Sequence, residues 1–169
     1  MPELPDVEQF KRYLSATGLH RKVARAEVTD RRAMGGGRRG EQSARALCAV
    51  LEGSSLSDPW RHGKWLFVRL SRGGRLGLHF GMTARLAAFR DADDTPRHTR
   101  LLLRFDDGAH LAYVCQRMLG ELVAVDDVER FLDERGLGPD ALELDRDAFR
   151  RRPRHARKLA VPPARGGPA

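Results

Sequence analysis

Six short apolar stretches, KWLFVRL, GRLGLHF, ARLAAF, TRLLLRF, AHLAYV and GELVAV, follow one another between residues 64 and 125. Each is rich in aliphatic or aromatic residues and too short for a well-formed helix, so from Trp60 onward the hydrophobic period is that of strands. SRGG, DADDTPRH and DDG separate several of them with residues suited to tight turns. Closely spaced strands of this kind pair antiparallel. We therefore expect a mainly β protein, a two-layer β-sandwich of antiparallel strands flanked by helices. The chain shows no βαβ alternation and no dinucleotide-type glycine motif, which disfavours a doubly wound nucleotide fold.

Helices are read on both sides of the strands. In LPDVEQFKRYLSATG, Val7, Phe10 and Leu14 recur at three and four residues; Pro5 suits a first turn and Gly18 a stop. EQSARALCAVLEG places Ala44, Leu47 and Leu51 on one face and ends at Gly53. DDVERFLDERG turns Val128, Phe131 and Leu132 inward, LGPDAL is a turn, and LDRDAFRRR starts another helix before Pro153. RKVARAEVTD alternates weakly through Val23 and Val28, as an outer strand does, and GGGRRG (35–40) is a basic loop.

Charge narrows the partners. Lys and Arg total 31 against 23 Asp and Glu, a net +8, which favours nucleic acid, an acidic partner or an anionic surface over neutral ligands. The competing reading is a solvated arginine-rich surface. Cys48 and Cys115 are the only cysteines and form no CxxC pair, so neither a zinc knot nor a disulfide framework is indicated. No metal and no cofactor are expected. The acidic start lacks a long apolar run, so a secretory signal and a membrane span are not expected, and the reading is a cytoplasmic protein.

The first eight residues, MPELPDVE, carry three carboxylates in an otherwise basic chain. Acids and Pro5 suit the positive end of a helix, but that does not account for Pro2. Initiator methionine is commonly removed before proline, which would leave Pro2 as a secondary amine titrating near pH 8. Such an amine attacks an electrophilic carbon and forms an iminium link, as a lysine Schiff base does. Glu3 beside it is a candidate proton donor, although acid action there requires burial or substrate phosphates to raise its pKa. The alternative is an ordinary amino-terminal cap.

Two glycine turns hold further candidates. RHGKWLF sets Arg61, His62 and Lys64 around Gly63, where a lysine can reach a phosphate from a fixed direction. GLHFGMTARL sets His79, Met82 and Arg85 around Gly81, where Met82 is either a core residue or an apolar wedge between bases.

Taken in order, MPELPDVE, RHGKWL, HFGMTARL, YVCQRMLGEL and LGPDAL resemble the successive motifs of the formamidopyrimidine-DNA glycosylase and endonuclease VIII family, over the amino-terminal catalytic domain. The resemblance implies a bifunctional base-excision repair enzyme, a DNA glycosylase with AP lyase activity. It acts on double-stranded DNA containing a damaged base or abasic site, with the damaged nucleotide flipped out of the duplex. By resemblance Pro2 is the nucleophile toward the sugar C1′, Glu3 the catalytic acid, and Lys64 the phosphate-binding lysine beside the lesion. Asp6 stands where the family has a second acid on a longer stem. The methionine that fills the vacated space falls on Met82, with Arg61, His62 and His79 beside it on the DNA side. The family's Asp-Pro-Arg-Arg-Phe-Gly is here Cys-Gln-Arg-Met-Leu-Gly. Arg117 keeps a phosphate contact, Met118 replaces the void-filling arginine and Leu119 the wedge phenylalanine, leaving lesion and opposite-base preference open.

The expected organisation is a catalytic domain over 1–145, then a basic segment and Pro/Gly/Ala tail over 146–169. That tail resembles the start of the family's helix, two-turn, helix domain. Residues 146–158 hold seven Arg or Lys and one acid. By resemblance that helix, two-turn, helix domain supplies much of the DNA clamp; a monomer is expected, with a separate polypeptide as one source of those contacts. The competing assignments are a non-catalytic DNA-binding remnant and an unstable, inactive product.

Overall fold

Pro5 lies in the first turn of α1 (Leu4–Thr17), where its missing N–H forfeits no hydrogen bond. Val7 and Leu14 are buried with Phe10 packed beside them, and Gly18 closes the helix by donating its N–H to Leu14 O at 2.8 Å. This computed structural model describes residues 2–34 and 40–142. Beyond α1 it contains β1 (Val23–Val28), α2 (Gly40–Leu51), β2 (Leu56–His62), β3 (Trp65–Leu70), β4 (Arg75–His79) and β5 (Arg85–Phe89). These are followed by β6 (Thr99–Phe105), β7 (His110–Val114), β8 (Glu121–Val125) and α3 (Val128–Glu134). The expected helix after LGPDAL and the basic tail from 146 lie outside the described residues, as does most of the GGGRRG loop.

Two antiparallel four-stranded sheets, β1-β6-β7-β5 and β2-β3-β4-β8, share one core, so the expected sandwich is present. Leu66, Val68, Leu76, Leu78 and Leu122 meet Val23, Leu101, Leu103, Phe105, Leu111 and Tyr113 across it. Burying each such side chain contributes about 1.5–3 kcal/mol. Ala44, Leu47 and Leu51 of α2 close the core beside β1. β1 is a sheet edge, as its weak alternation suggested.

The near-continuous apolar run of β3 has a separate cause. Its outward residues Trp65 and Phe67 are buried too, because Val128, Phe131 and Leu132 of α3 cover them. Asp127 starts that helix by accepting the Arg130 N–H at 3.1 Å.

One strand is absent from the sequence reading. β2 begins at Leu56, eight residues before the first stretch read as strand, and Pro59 within it hides the pattern. The position is tolerated because β2 is an edge strand with an irregular register between Ser57 and Pro59. This strand matters for the site, since it ends in Arg61 and His62. Among the described residues, no helix is long and apolar enough to cross a membrane.

Candidate functional site

The amino terminus is fixed by its own first turn. Glu3 has an extended backbone, its N–H donates to Asp6 Oδ2 at 2.7 Å, and its carbonyl accepts the Val7 N–H at 3.1 Å. Asp6 thus holds the Pro2–Glu3 peptide in place. Pro2 is half-buried and Glu3 is exposed.

Two contacts tie α1 to the rest of the site. Phe10 stacks on Phe80 with ring centroids 4.3 Å apart, immediately before the Gly81 turn. Glu8 Oε2 lies 3.4 Å from Arg61 Nε, at the end of β2. The Lys11 hydrogen bond, together with the charges of Lys11, Arg61 and Arg12, holds the Glu8 carboxyl below its usual value against some burial.

Strands β2 and β3 meet in a two-residue turn, Gly63-Lys64, closed by the His62–Trp65 pair. Gly63 has φ +56°, which suits a glycine at the first central position of a hairpin turn. Arg61 and His62, read from the sequence as facing DNA, are instead only 7% and 8% exposed. Arg61 Nη1 donates to Asp140 Oδ2 at 2.5 Å and to Gly63 O at 3.1 Å. His62 Nε2 donates to Gly138 O at 2.7 Å. Asp140 Oδ2 also accepts the Gly63 N–H at 2.8 Å, and Oδ1 accepts that of Leu142 at 2.8 Å. Burial would raise the Asp140 carboxyl, but Arg61 and these two N–H groups outweigh it and hold it below the ordinary value. Lys64 itself is half-buried and has no ion-pair partner among the described residues.

The second turn is built by a close backbone approach. Gly81 has φ +55°, and a Cβ there would stand 2.2 Å from Leu119 O, so residues 79–84 press directly on residues 115–120. A Cβ on Gly120 would likewise meet Tyr113 Oη at 1.8 Å. Tyr113 Oη donates to His79 O at 2.7 Å, and the Arg117 N–H reaches Thr83 Oγ1 at 3.3 Å. The joined loops present Met82 at 41% and Leu119 at 54% exposure. Arg117 is exposed, whereas Met118 is half-buried against the core.

His79 stacks on Trp65, with centroids 5.1 Å apart. Burial pushes its imidazole below the ordinary 6.5; Glu121 opposes the shift, and the charges of Lys64 and Arg135 add to it. The unfolded chain therefore binds this proton more readily than the folded one. The contribution to stability is full above about pH 6.5 and is lost as pH falls through the lower folded value. Urea unfolding between pH 7 and pH 5 is expected to show declining stability, with a shallower decline in His79→Gln. An equal slope in the two proteins would contradict this origin.

Among the described residues, no group of three or more His, Cys, Asp or Glu is placed to hold a metal ion. Cys48 is half-buried and Cys115 buried, and both are free thiols. Sequence reasoning gave Asp140 and Glu8 no role. LGPDAL pointed to a turn, but nothing in that spacing pairs residue 140 with residue 61.

A family model described as the formamidopyrimidine-DNA glycosylase N-terminal domain matches residues 1–122. The chain belongs to this family. A formamidopyrimidine-DNA glycosylase of Salinispora arenicola is 37% identical over 123 residues, which is 72% of this chain and 42% of the relative. One of Acidothermus cellulolyticus is 32% identical over 158 residues, 90% of this chain and 54% of the relative. The chain thus spans about half the length of the curated glycosylases it matches. Among solved structures, Lactococcus lactis Fpg in complex with abasic-site DNA aligns with TM-score 0.74 at 25% identity, over 88% of this chain and 54% of that one. An Fpg complex with DNA containing N7-benzyl-Fapy-dG aligns with TM-score 0.69 at 28% identity, over 82% and 50%.

Proposed function

We propose that this chain carries the nucleophile-bearing part of a bifunctional DNA glycosylase and AP lyase acting on double-stranded DNA with a damaged base or abasic site. The observation that supports it most is the tethering of α1. Glu8–Arg61 and Phe10–Phe80 link the helix that begins at Pro2-Glu3 to both turns, one bearing Lys64 and the other Met82.

With Met1 removed, the Pro2 nitrogen uses its lone pair to bond C1′ as the bond from C1′ to the base breaks and the base takes a proton. The sugar ring then opens: the nitrogen gives up its own proton, O4′ leaves C1′ and is protonated, and the C1′–nitrogen link becomes an iminium. Glu3 supplies a proton to the leaving group or to the opened oxygen. Loss of a C2′ proton expels the 3′-phosphate, and water hydrolyses the iminium to return the amine.

Lys64, His79 and Arg117 face the backbone of the flipped nucleotide, and Met82 and Leu119 fill or wedge the stack, with Met118 behind them. Arg61 and His62 act by holding the Lys64 turn, and Asp6 by holding the Glu3 peptide. The catalytic domain runs to about residue 145, since Asp140 fastens the segment after α3 to the β2–β3 turn. The protein works as a cytoplasmic monomer. Further phosphate contacts come from beyond this domain, or from another polypeptide, so the chain alone binds more weakly and with a shallower salt dependence than a protein that makes them all.

Borohydride added with abasic duplex at low salt is the test, read by intact mass. One DNA strand is expected on the chain lacking Met1, and none on chain whose amino terminus is acetylated or still carries Met1. Binding of duplex without any adduct would favour the non-catalytic remnant instead.

A further inference from the structure

A Cβ on Gly63 would meet nothing within 4 Å, so the β2–β3 turn is open to space at that point. Yet both polar groups of Gly63 are taken: its N–H by Asp140 Oδ2 at 2.8 Å, and its carbonyl by Arg61 Nη1 at 3.1 Å. That carbonyl belongs to the peptide bond leading into Lys64. Arg61 is itself oriented by Asp140, whose side chain is 0% exposed although it lies 79 positions away in sequence.

We infer that Asp140 is a positioning residue for Lys64, a buried carboxylate that fixes the Gly63–Lys64 peptide through Arg61 and so aims the lysine at a phosphate. The inference rests on the assignment of Lys64 to a DNA phosphate. A buried ion pair adds little net stability compared with apolar packing, so stability by itself is a weak account of this one. The geometry is specific to orientation, because a single oxygen collects the arginine and the turn N–H together. Asn at this position keeps the shape but replaces one acceptor with a donor and removes the charge that Arg61 faces. The His62–Gly138 bond is a second strap and keeps the hairpin paired when Asp140 is altered.

The test is a double-mutant cycle on the full chain, measuring binding of a duplex containing a tetrahydrofuran abasic analogue at several salt concentrations. Lys64→Ala is expected to reduce the steepness of log K against log salt by about 0.9, the loss of one phosphate contact, or roughly tenfold in affinity at 0.1 M salt. Asp140→Asn is expected to weaken binding in the same direction when Lys64 is present, and to add almost nothing in the Lys64→Ala background. Hydrogen exchange of the Gly63 and Lys64 amides should quicken in Asp140→Asn while β6 and β7 keep their protection. If Asp140→Asn fails to fold, Asp140→Glu preserves the charge on a longer stem and is expected to show the same non-additivity with a smaller loss.

Equal losses from the Asp140 change with and without Lys64 would overturn the positioning role and leave the Lys64 assignment standing. An unchanged salt dependence in Lys64→Ala would remove that assignment, and the positioning role with it.

Discussion

Glu3→Gln is expected to slow release of a damaged base by about 10²–10⁴-fold, the range for losing one positioned proton donor. Glutamine keeps the length and the hydrogen-bonding oxygen but cannot deliver a proton. The Glu3 side chain and Asp6 form a capping box at the helix start, and glutamine retains the oxygen with which the Glu3 side chain faces the Asp6 N–H, while the Glu3 N–H stays held by Asp6 and its carbonyl by Val7. Folding stability should therefore stay within about 0.5 kcal/mol, as for other exposed substitutions. Borohydride trapping on DNA that is already abasic should fall much less, because no leaving base remains to be protonated. Single-turnover base release and trapping, run side by side on one preparation, check the split. Equal loss in both would show that Glu3 protonates the opened ring oxygen, or serves the amine or the helix start, and not the leaving base.

Gly81→Ala is expected to cost the fold heavily for a single added carbon. The new Cβ would face the Leu119 carbonyl oxygen at 2.2 Å, with Leu119 C at 2.4 Å and Gly120 N at 2.7 Å, all of them backbone atoms. No rotamer change relieves such a contact, so residues 79–84 and 115–120 must separate. Left-handed strain of about 1–3 kcal/mol adds to overpacking of similar size, giving a loss of about 2–6 kcal/mol. For a chain of this size that lowers Tm by roughly 5–15 °C. Gly108→Ala is the control: it too has positive φ, +78°, but nothing within 4 Å, so it isolates the backbone strain. Calorimetry of both variants should show Gly81→Ala much the worse. Similar losses would mean that the approach of the two loops contributes nothing. Separation of the loops also pulls Met82 from Leu119, so binding of a bent or flipped duplex should weaken more than binding of undamaged DNA.

The sandwich was legible because its information is local. The short apolar runs of β4 and β6, the glycines of the turns, and Val7, Phe10 and Leu14 on one face each depend on neighbours a few residues away. β2 was not legible, since Pro59 breaks the pattern and only its place at a sheet edge makes that acceptable. The motif residues were found as residues, but a sequence carries no burial, and two of them lie almost wholly inside. Arg61 and His62 looked like surface cations beside a turn. They are inside because Asp140 and the Gly138 carbonyl lie against them.

By itself the sequence determined the strand periodicity, the three amphipathic helices, the family to which the chain belongs and the residue types available for chemistry. Tertiary structure alone decided which of them share a site: that Phe10 meets Phe80, that Glu8 and Asp140 converge on Arg61, and that Gly81 lets Met82 stand beside Leu119. The physical reason is range. Periodicity and turn chemistry act over the span of one helix turn or one strand pair, whereas the partners of a buried charge are set by chain segments that meet only when the two sheets close on one core.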